Sequence, residues 1–354
     1  MRLLLAAVLA ASAPAASAQG PAATALPLNV GGRTIREPGG ALRFGWPGVY
    51  FEGRFHGTGV RVRFEAPAEH MRLLIDGEER TVFERAGEVD LTFGGLAAGE
   101  HIVRLEKMTE SQSGGGRFHG FYPVSGARAL PAPRRARQIE FIGDSFTVGY
   151  GNTSLRRECS AREVHDTTDT QQGFGPLVAR RFDADYRINA FSGFGIVRNY
   201  AGRERGVSLP AIYPRLKPDE PAGLEAGDPG WRPQIIVINL GTNDFSTPLQ
   251  PGEPWADQAA LRSAYRSAYA GFLRRLAARQ PQARFVLMAT EPFLAEVEQV
   301  ASTLAERTTV LRFGQLERSG CDWHPSLADH RRFAAQLEAL IRSRPDYWEP
   351  ARSD

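Results

Sequence analysis

Ile139, Phe141 and Ile142 form a short apolar run that stops at Gly143, and the chain continues Asp144-Ser145-Phe146-Thr147-Val148-Gly149-Tyr150-Gly151-Asn152. An apolar run ending at a glycine reads as a buried strand whose backbone turns sharply at its tip. Ser145 then lies just past that tip. In an open α/β sheet this is the crevice where ligands bind, beside the N–H groups of the following turn. Taken alone, Asp-Ser is explained as well by a helix cap. Two later stretches change the balance: Ile235–Asp244 is a second apolar run ending Gly241-Thr242-Asn243-Asp244, and Asp322-Trp323-His324-Pro325 stands near the C-terminus.

Around these stretches, strand-like and helix-like segments alternate. Strands are expected at Ile139–Ile142, Tyr186–Ala190, Gln234–Leu240, Phe285–Ala289 and Thr309–Phe313. A helix is expected over Gly175–Phe182, and a second where Leu261, Tyr265, Tyr269, Phe272 and Leu276 share one face. A third, with Pro325 in its first turn, presents Phe333, Leu337 and Ile341. Such alternation implies a parallel sheet covered on both faces, assigned here to residues 138–350. Residues 26–124 differ, with short β-like runs between glycine-rich turns at Ala41–Trp46, Val49–Phe55, Val60–Phe64, Met71–Ile75, Glu88–Phe93 and His101–Lys107. Asp76-Gly77 is a hairpin signal. This half reads as a β-sandwich. Residues 125–137, with Pro131, Pro133 and four arginines, read as a linker.

Residues 1–18 combine Arg2, an apolar stretch from Leu3 and the small-residue run Ala16-Ser17-Ala18, which is the pattern of a signal peptide. A soluble, secreted or periplasmic protein with no membrane span follows as an expectation. The 43 basic residues are nearly balanced by 40 acidic ones, and only Lys107 and Lys217 are lysines. No dense basic run interleaves with aromatics, so no nucleic-acid partner is expected. Cys159 and Cys321 are the only cysteines. An even count in an exported protein favours a disulfide, which would fasten the segment after Ser145 to the one before His324.

A serine esterase needs a nucleophilic hydroxyl, a base within hydrogen-bond reach and donors where negative charge develops. Ser145 is the expected nucleophile and His324 the base, with Asp322 or a main-chain carbonyl orienting the imidazole. Asp144 and Asp244 invite a metal reading, but no His/Cys/Glu cluster accompanies them and both are expected to support their loops. His56, His70, His101 and His119 lack ligand spacing, so no metal is expected. No cofactor is expected either. Trp46 is expected in the core.

In order and spacing, Gly143-Asp144-Ser145 with Gly149-Tyr150-Gly151-Asn152, Ser192-Gly193-Phe194-Gly195, Gly241-Thr242-Asn243-Asp244 and Asp322-Trp323-His324-Pro325 resemble the SGNH (GDSL-type) hydrolases. More narrowly, the chain is similar to the acetyl esterases of carbohydrate esterase family 2 over nearly its whole length after the leader. Phe146 departs from the family, where an aliphatic residue is usual. The resemblance implies a jelly-roll N-terminal domain followed by a three-layer α/β SGNH domain. It also implies an oxyanion hole from the Ser145 N–H, the Gly193 N–H, with Gly195 as alternative, and the Asn243 amide, and a sugar platform at Trp323. Trp231 and Trp255 are rival platforms, and Arg198 and Tyr200 follow the Gly193 loop towards substrate.

The function expected is that of a monomeric, secreted carbohydrate O-deacetylase acting on acetylated hemicellulose or its oligosaccharides. A GDSL lipase or broad short-chain esterase is the alternative, and a non-catalytic polysaccharide-binding protein a third reading.

Overall fold

The computed structural model describes residues 24–110, 112, 114–221, 223 and 228–349. The leader expected at 1–18 lies outside them. Among the described residues, the strands that precede the parallel sheet are β1 (Leu28–Gly31), β2 (Thr34–Arg36), β3 (Leu42–Phe44), β4 (Tyr50–Gly57), β5 (Val60–Ala66), β6 (His70–Ile75), β7 (Glu78–Glu84), β8 (Gly87–Phe93), β9 (Gly99–Lys107), β10 (Gly116–Pro123) and β11 (Arg128–Ala129). They form two antiparallel sheets, β1-β4-β9-β6-β7 with β11 also on β4, and β2-β3-β10-β5-β8. Phe44, Phe51, Phe64, Phe118 and Phe121 fill the space between them with Val62, Leu73 and Leu105. This is the expected sandwich. The β6–β7 turn places Asp76 and Gly77 both at positive φ, 57° and 82°, the requirement of a type I′ hairpin.

The sequence reading omits β1, β2 and β10, and it assigns β11 to the linker. In β10 the register shifts between Phe118 and Gly120, so the two-residue alternation is broken and the strand is masked in sequence. The linker is not loose. Arg135 bonds Glu52 of the sandwich at 2.7 Å and Asp185 of the second domain at 2.8 Å.

The second domain contains the parallel sheet β13-β12-β14-β15-β16, made of β12 (Arg137–Gly143), β13 (Ala184–Ala190), β14 (Ile235–Asn239), β15 (Arg284–Ala289) and β16 (Thr308–Arg312). Its helices are α1 (Ser145–Val148), α2 (Ala161–Thr167), α3 (Phe174–Arg181), α4 (Leu209–Ile212), α5 (Thr242–Phe245), α6 (Gln258–Arg279), α7 (Leu294–Ser302) and α8 (Leu327–Ser343). Side chains alternate through the sheet. Ile236, Ile238, Phe285 and Leu287 meet the α6–α7 layer, while Ile235, Val237, Val286 and Met288 meet α3 and α8. Both faces are therefore covered, which is why the strands read as unbroken apolar runs. Pro325 stands outside α8, not in its first turn. Ser326 is the N-cap, in a capping box with Asp329.

Register positions the site. Gly143 pairs with Ala190 on one side and with Asn239 on the other, so the tips of β13, β12 and β14 lie level. The loops that follow these tips carry Gly193, Ser145 and Asn243 to one crevice.

Candidate active site

Gly143 has no room for a side chain, since a Cβ there would sit 1.9 Å from Thr147 Oγ1. The chain can therefore fold tightly into α1. Asp144 caps that turn, accepting from Phe146 N–H at 3.0 Å, and Gly149 ends it in the left-handed conformation. Ser145 is the first residue of the turn. Its Oγ lies 2.9 Å from His324 Nε2.

The imidazole is held by main chain. Nδ1 faces the carbonyl oxygens of Cys321 at 3.0 Å and Asp322 at 3.1 Å. Carbonyls only accept, so Nδ1 carries the proton and the Nε2 lone pair faces the Ser145 hydroxyl. Burial pushes the His324 pKa down, against the raising effect of those two carbonyls and of Asp322. Nearby Arg318 pushes in the same direction as burial.

The Asp322 carboxylate, one of the two orienters expected, is not hydrogen-bonded to the ring. It accepts from Tyr150 Oη at 2.9 Å. The physical reason is its backbone: Asp322 and Trp323 both have positive φ, 49° and 57°, and in this double left-handed turn it is the Asp322 carbonyl that meets the ring. Each such non-glycine residue costs on the order of 1–3 kcal/mol and persists only where its surroundings impose it. Here Cys321 N–H donates to Gly151 O at 3.2 Å, Asp322 N–H to Arg157 O at 2.6 Å and Gly320 N–H to His324 O at 3.1 Å. Cys321 is disulfide-bonded to Cys159, with Cα atoms 5.5 Å apart. Asp329 of α8 accepts from the N–H groups of Glu317 and Arg318.

Ser145, Gly193, Asn243, Asp322, Trp323 and His324 line one cleft of about 730 Å³. Gly193 has φ 84°, with open space where a Cβ would stand. Gly195 is packed away from the cleft: its N–H donates to Asn199, and a Cβ would lie 2.2 Å from Arg198 O. Asn243 lines the cleft, but its amide donates to Asp144 Oδ2 at 3.1 Å and Phe194 O at 2.9 Å. Both its hydrogens have acceptors inside the protein, so an oxyanion would have to share one. Asp144 and Asp244 are buried, and desolvation raises their pKa values to about 7 and about 6. Asp244 accepts from the N–H groups of Ile196, Val197 and Arg198 and holds the loop beyond Gly193.

Trp323 is 55% exposed at the cleft wall. Trp231 is buried and donates to Glu140, Trp255 lines a separate cavity of about 200 Å³, and Trp46 is core. Tyr200 lines the cleft, whereas Arg198 is buried against Glu253 at 3.0 Å and cannot reach substrate. His70 does meet two potential ligands, His165 and Asp166, though its own segment shows no ligand spacing. Asp166 is already paired with Arg85 and Arg162, which a cation would have to displace.

Two cleft residues, Tyr150 and Gln112, and the neighbouring Glu110 escape the sequence reading. Tyr150 lies flat on His324, ring centroids 4.2 Å apart at 29°, and Glu110 and Gln112 reach the Ser192 turn from the sandwich. Tyr150 has a signal in the quoted Gly-Tyr-Gly-Asn run. Glu110 and Gln112, in a Ser/Gly-rich loop, have none.

Residues 30–133 match the family model described as carbohydrate esterase 2 N-terminal, and residues 141–343 match the GDSL-like lipase/acylhydrolase family. An acetylxylan esterase / glucomannan deacetylase of Cellvibrio japonicus (strain Ueda107) is 43% identical over 91% of this chain and 92% of its own length. A solved carbohydrate esterase, whose active site is described as displaying divergent catalytic and non-catalytic binding functions, is 42% identical with TM-score 0.85, covering 92% of this chain and all of the other. A family two carbohydrate esterase from Clostridium thermocellum, solved with cellohexaose, is 28% identical with TM-score 0.75 over 90% of this chain and 99% of its own.

Proposed function

The chain belongs to carbohydrate esterase family 2 and is a carboxylic ester hydrolase of the carbohydrate acetyl esterase kind, and from that premise we propose that it is an exported enzyme removing O-acetyl groups from hemicelluloses of the xylan and glucomannan classes or their oligosaccharides. The observation that carries the mechanism is the 2.9 Å contact between Ser145 Oγ and His324 Nε2 in a cleft walled by exposed Trp323. Ser145 attacks the acetyl carbonyl as His324 Nε2 takes its proton. The tetrahedral oxyanion is met by the N–H groups of Ser145 and Gly193 and by the Asn243 amide. It collapses as His324 returns the proton to the departing sugar oxygen, leaving acetyl-Ser145. Water attacks that ester with His324 again as base, releasing acetate and free serine.

The orienter in this reading is main chain, supported by the two carbonyls at Nδ1. Substrate class is supported by the relative named acetylxylan esterase / glucomannan deacetylase. Export is supported by the Cys159–Cys321 disulfide, since such bonds persist in oxidising compartments. The test compares kcat/KM on acetyl-xylan, acetyl-glucomannan, p-nitrophenyl acetate and p-nitrophenyl octanoate. Acetylated polysaccharide should be turned over and octanoate scarcely. Preference for octanoate would indicate a lipase instead, and binding without turnover a non-catalytic site.

A further inference from the structure

Phe191–Phe194 is a four-residue turn closed by Phe194 N–H donating to Phe191 O at 3.2 Å, with Gly193 at φ 84° in its third position. That is the signature of a type II turn. Rotating the central peptide, between Ser192 and Gly193, converts type II to type I and reverses the direction of the Gly193 N–H. A glycine with open space around it presents no side chain to oppose that rotation. The orientation must come from hydrogen bonds.

Those bonds come from the other domain. The β9–β10 loop projects from the sandwich to the turn. There Gln112 Nε2 donates to Ser192 O at 3.0 Å, and Ser192 Oγ donates to the Glu110 carboxylate at 2.7 and 2.8 Å from its two oxygens. The peptide is planar and trans, so its C=O and N–H point opposite ways. Holding Ser192 O towards Gln112 therefore sends the Gly193 N–H away from Gln112. The loop itself is anchored: buried Lys107 bonds Glu69 at 2.9 Å and Thr109 O at 2.7 Å, and Glu69 accepts from Gly115 N–H at 2.7 Å. Among the described residues no acceptor takes the Gly193 N–H.

We propose that Glu110 and Gln112 of the N-terminal sandwich are positioning residues that hold the Ser192–Gly193 peptide in the one orientation that presents the Gly193 N–H to the reacting ester. The inference rests on the reading of this cleft as an esterase site. It makes the sandwich part of the catalytic apparatus.

The test measures kcat and KM on p-nitrophenyl acetate, together with the affinity of a boronic acid that forms a tetrahedral adduct on serine. Wild type, Gln112→Ala, Glu110→Gln and Glu110→Ala are compared. Full loss of an oxyanion donor lowers kcat about 10²–10³-fold, so partial loss of its orientation in Gln112→Ala should lower kcat roughly 10–100-fold. KM should stay within about threefold, and boronate affinity should fall by the same factor as kcat, because the N–H is used in the transition state. Glu110→Ala should behave as Gln112→Ala, and Glu110→Gln, which keeps one acceptor oxygen for Ser192, should lose less kcat and less boronate affinity than Glu110→Ala. Gln112 is exposed, so its variant decides the matter should Glu110→Ala fail to fold. Active wild type with Gln112→Ala at wild-type kcat and boronate affinity, or a loss confined to KM, overturns the inference. Wild type inactive on every acetyl ester overturns the esterase reading instead.

Discussion

The Asp322 carboxylate and Tyr150 Oη are 2.9 Å apart, and this bond directs the carboxylate to the tyrosine that lies over the His324 ring. An asparagine in place of Asp322 would keep an oxygen for Tyr150 and the same main-chain carbonyl for Nδ1. Asp322→Asn should therefore lower kcat by less than about tenfold, against the roughly 10⁴-fold loss expected where a carboxylate fixes the imidazole tautomer. Steady-state kinetics on p-nitrophenyl acetate separates the two.

Tyr150 also shows why part of the site is hidden in the sequence. Ser145, Asn243 and His324 each follow a strong local signal, an apolar strand ending in glycine or a short polar block near the C-terminus. Level strand tips bring the first two together. Orientation is different in kind: whether Asp322 offers its carboxylate or its carbonyl depends on two left-handed residues in succession, and no residue type at 322 or 323 announces that. Contacts from Glu110 and Gln112 depend on how two domains dock, which periodicity within either cannot express. Strand β10 escapes for a local reason, its bulge at Phe118–Gly120.

Burial disfavours the imidazolium form of His324, so its pKa lies below the ordinary 6.5. As the proposed base, His324 must be neutral to accept the Ser145 proton, so activity should be lost as pH falls through that lowered value. The acid limb of the kcat/KM profile should be centred below pH 6.5. A limb centred above that ordinary value would show His324 stabilised as a cation.

Asn243 ties Asp144 to Phe194 O as well as facing the cleft. Asn243→Ala removes the proposed oxyanion donor and leaves two buried acceptors without it. A kcat loss of about 10²–10³-fold is expected, with destabilisation of about 1–3 kcal/mol per acceptor. Thermal melting and kinetics on the same preparation should show both effects.

The Cys159–Cys321 bond joins residues 162 apart in sequence, and Cys321 stands three residues before His324, the proposed base. Closing so long a loop is worth up to about 5 kcal/mol in the chain-entropy account. Replacing both cysteines by alanine should lower Tm and kcat together, and the melting of the variant should no longer respond to reductant. Unchanged Tm would show that hydrogen bonds from Gly151 and Arg157 suffice to hold the histidine loop.

Acetate release from acetylated xylan and glucomannan by wild type and by folded Ser145→Ala tests the central claim most directly. In the proposed mechanism the hydroxyl is the nucleophile, so the variant should fold normally and lose on the order of 10⁶-fold in kcat. Release by Ser145→Ala at more than a few per cent of the wild-type rate would contradict the account.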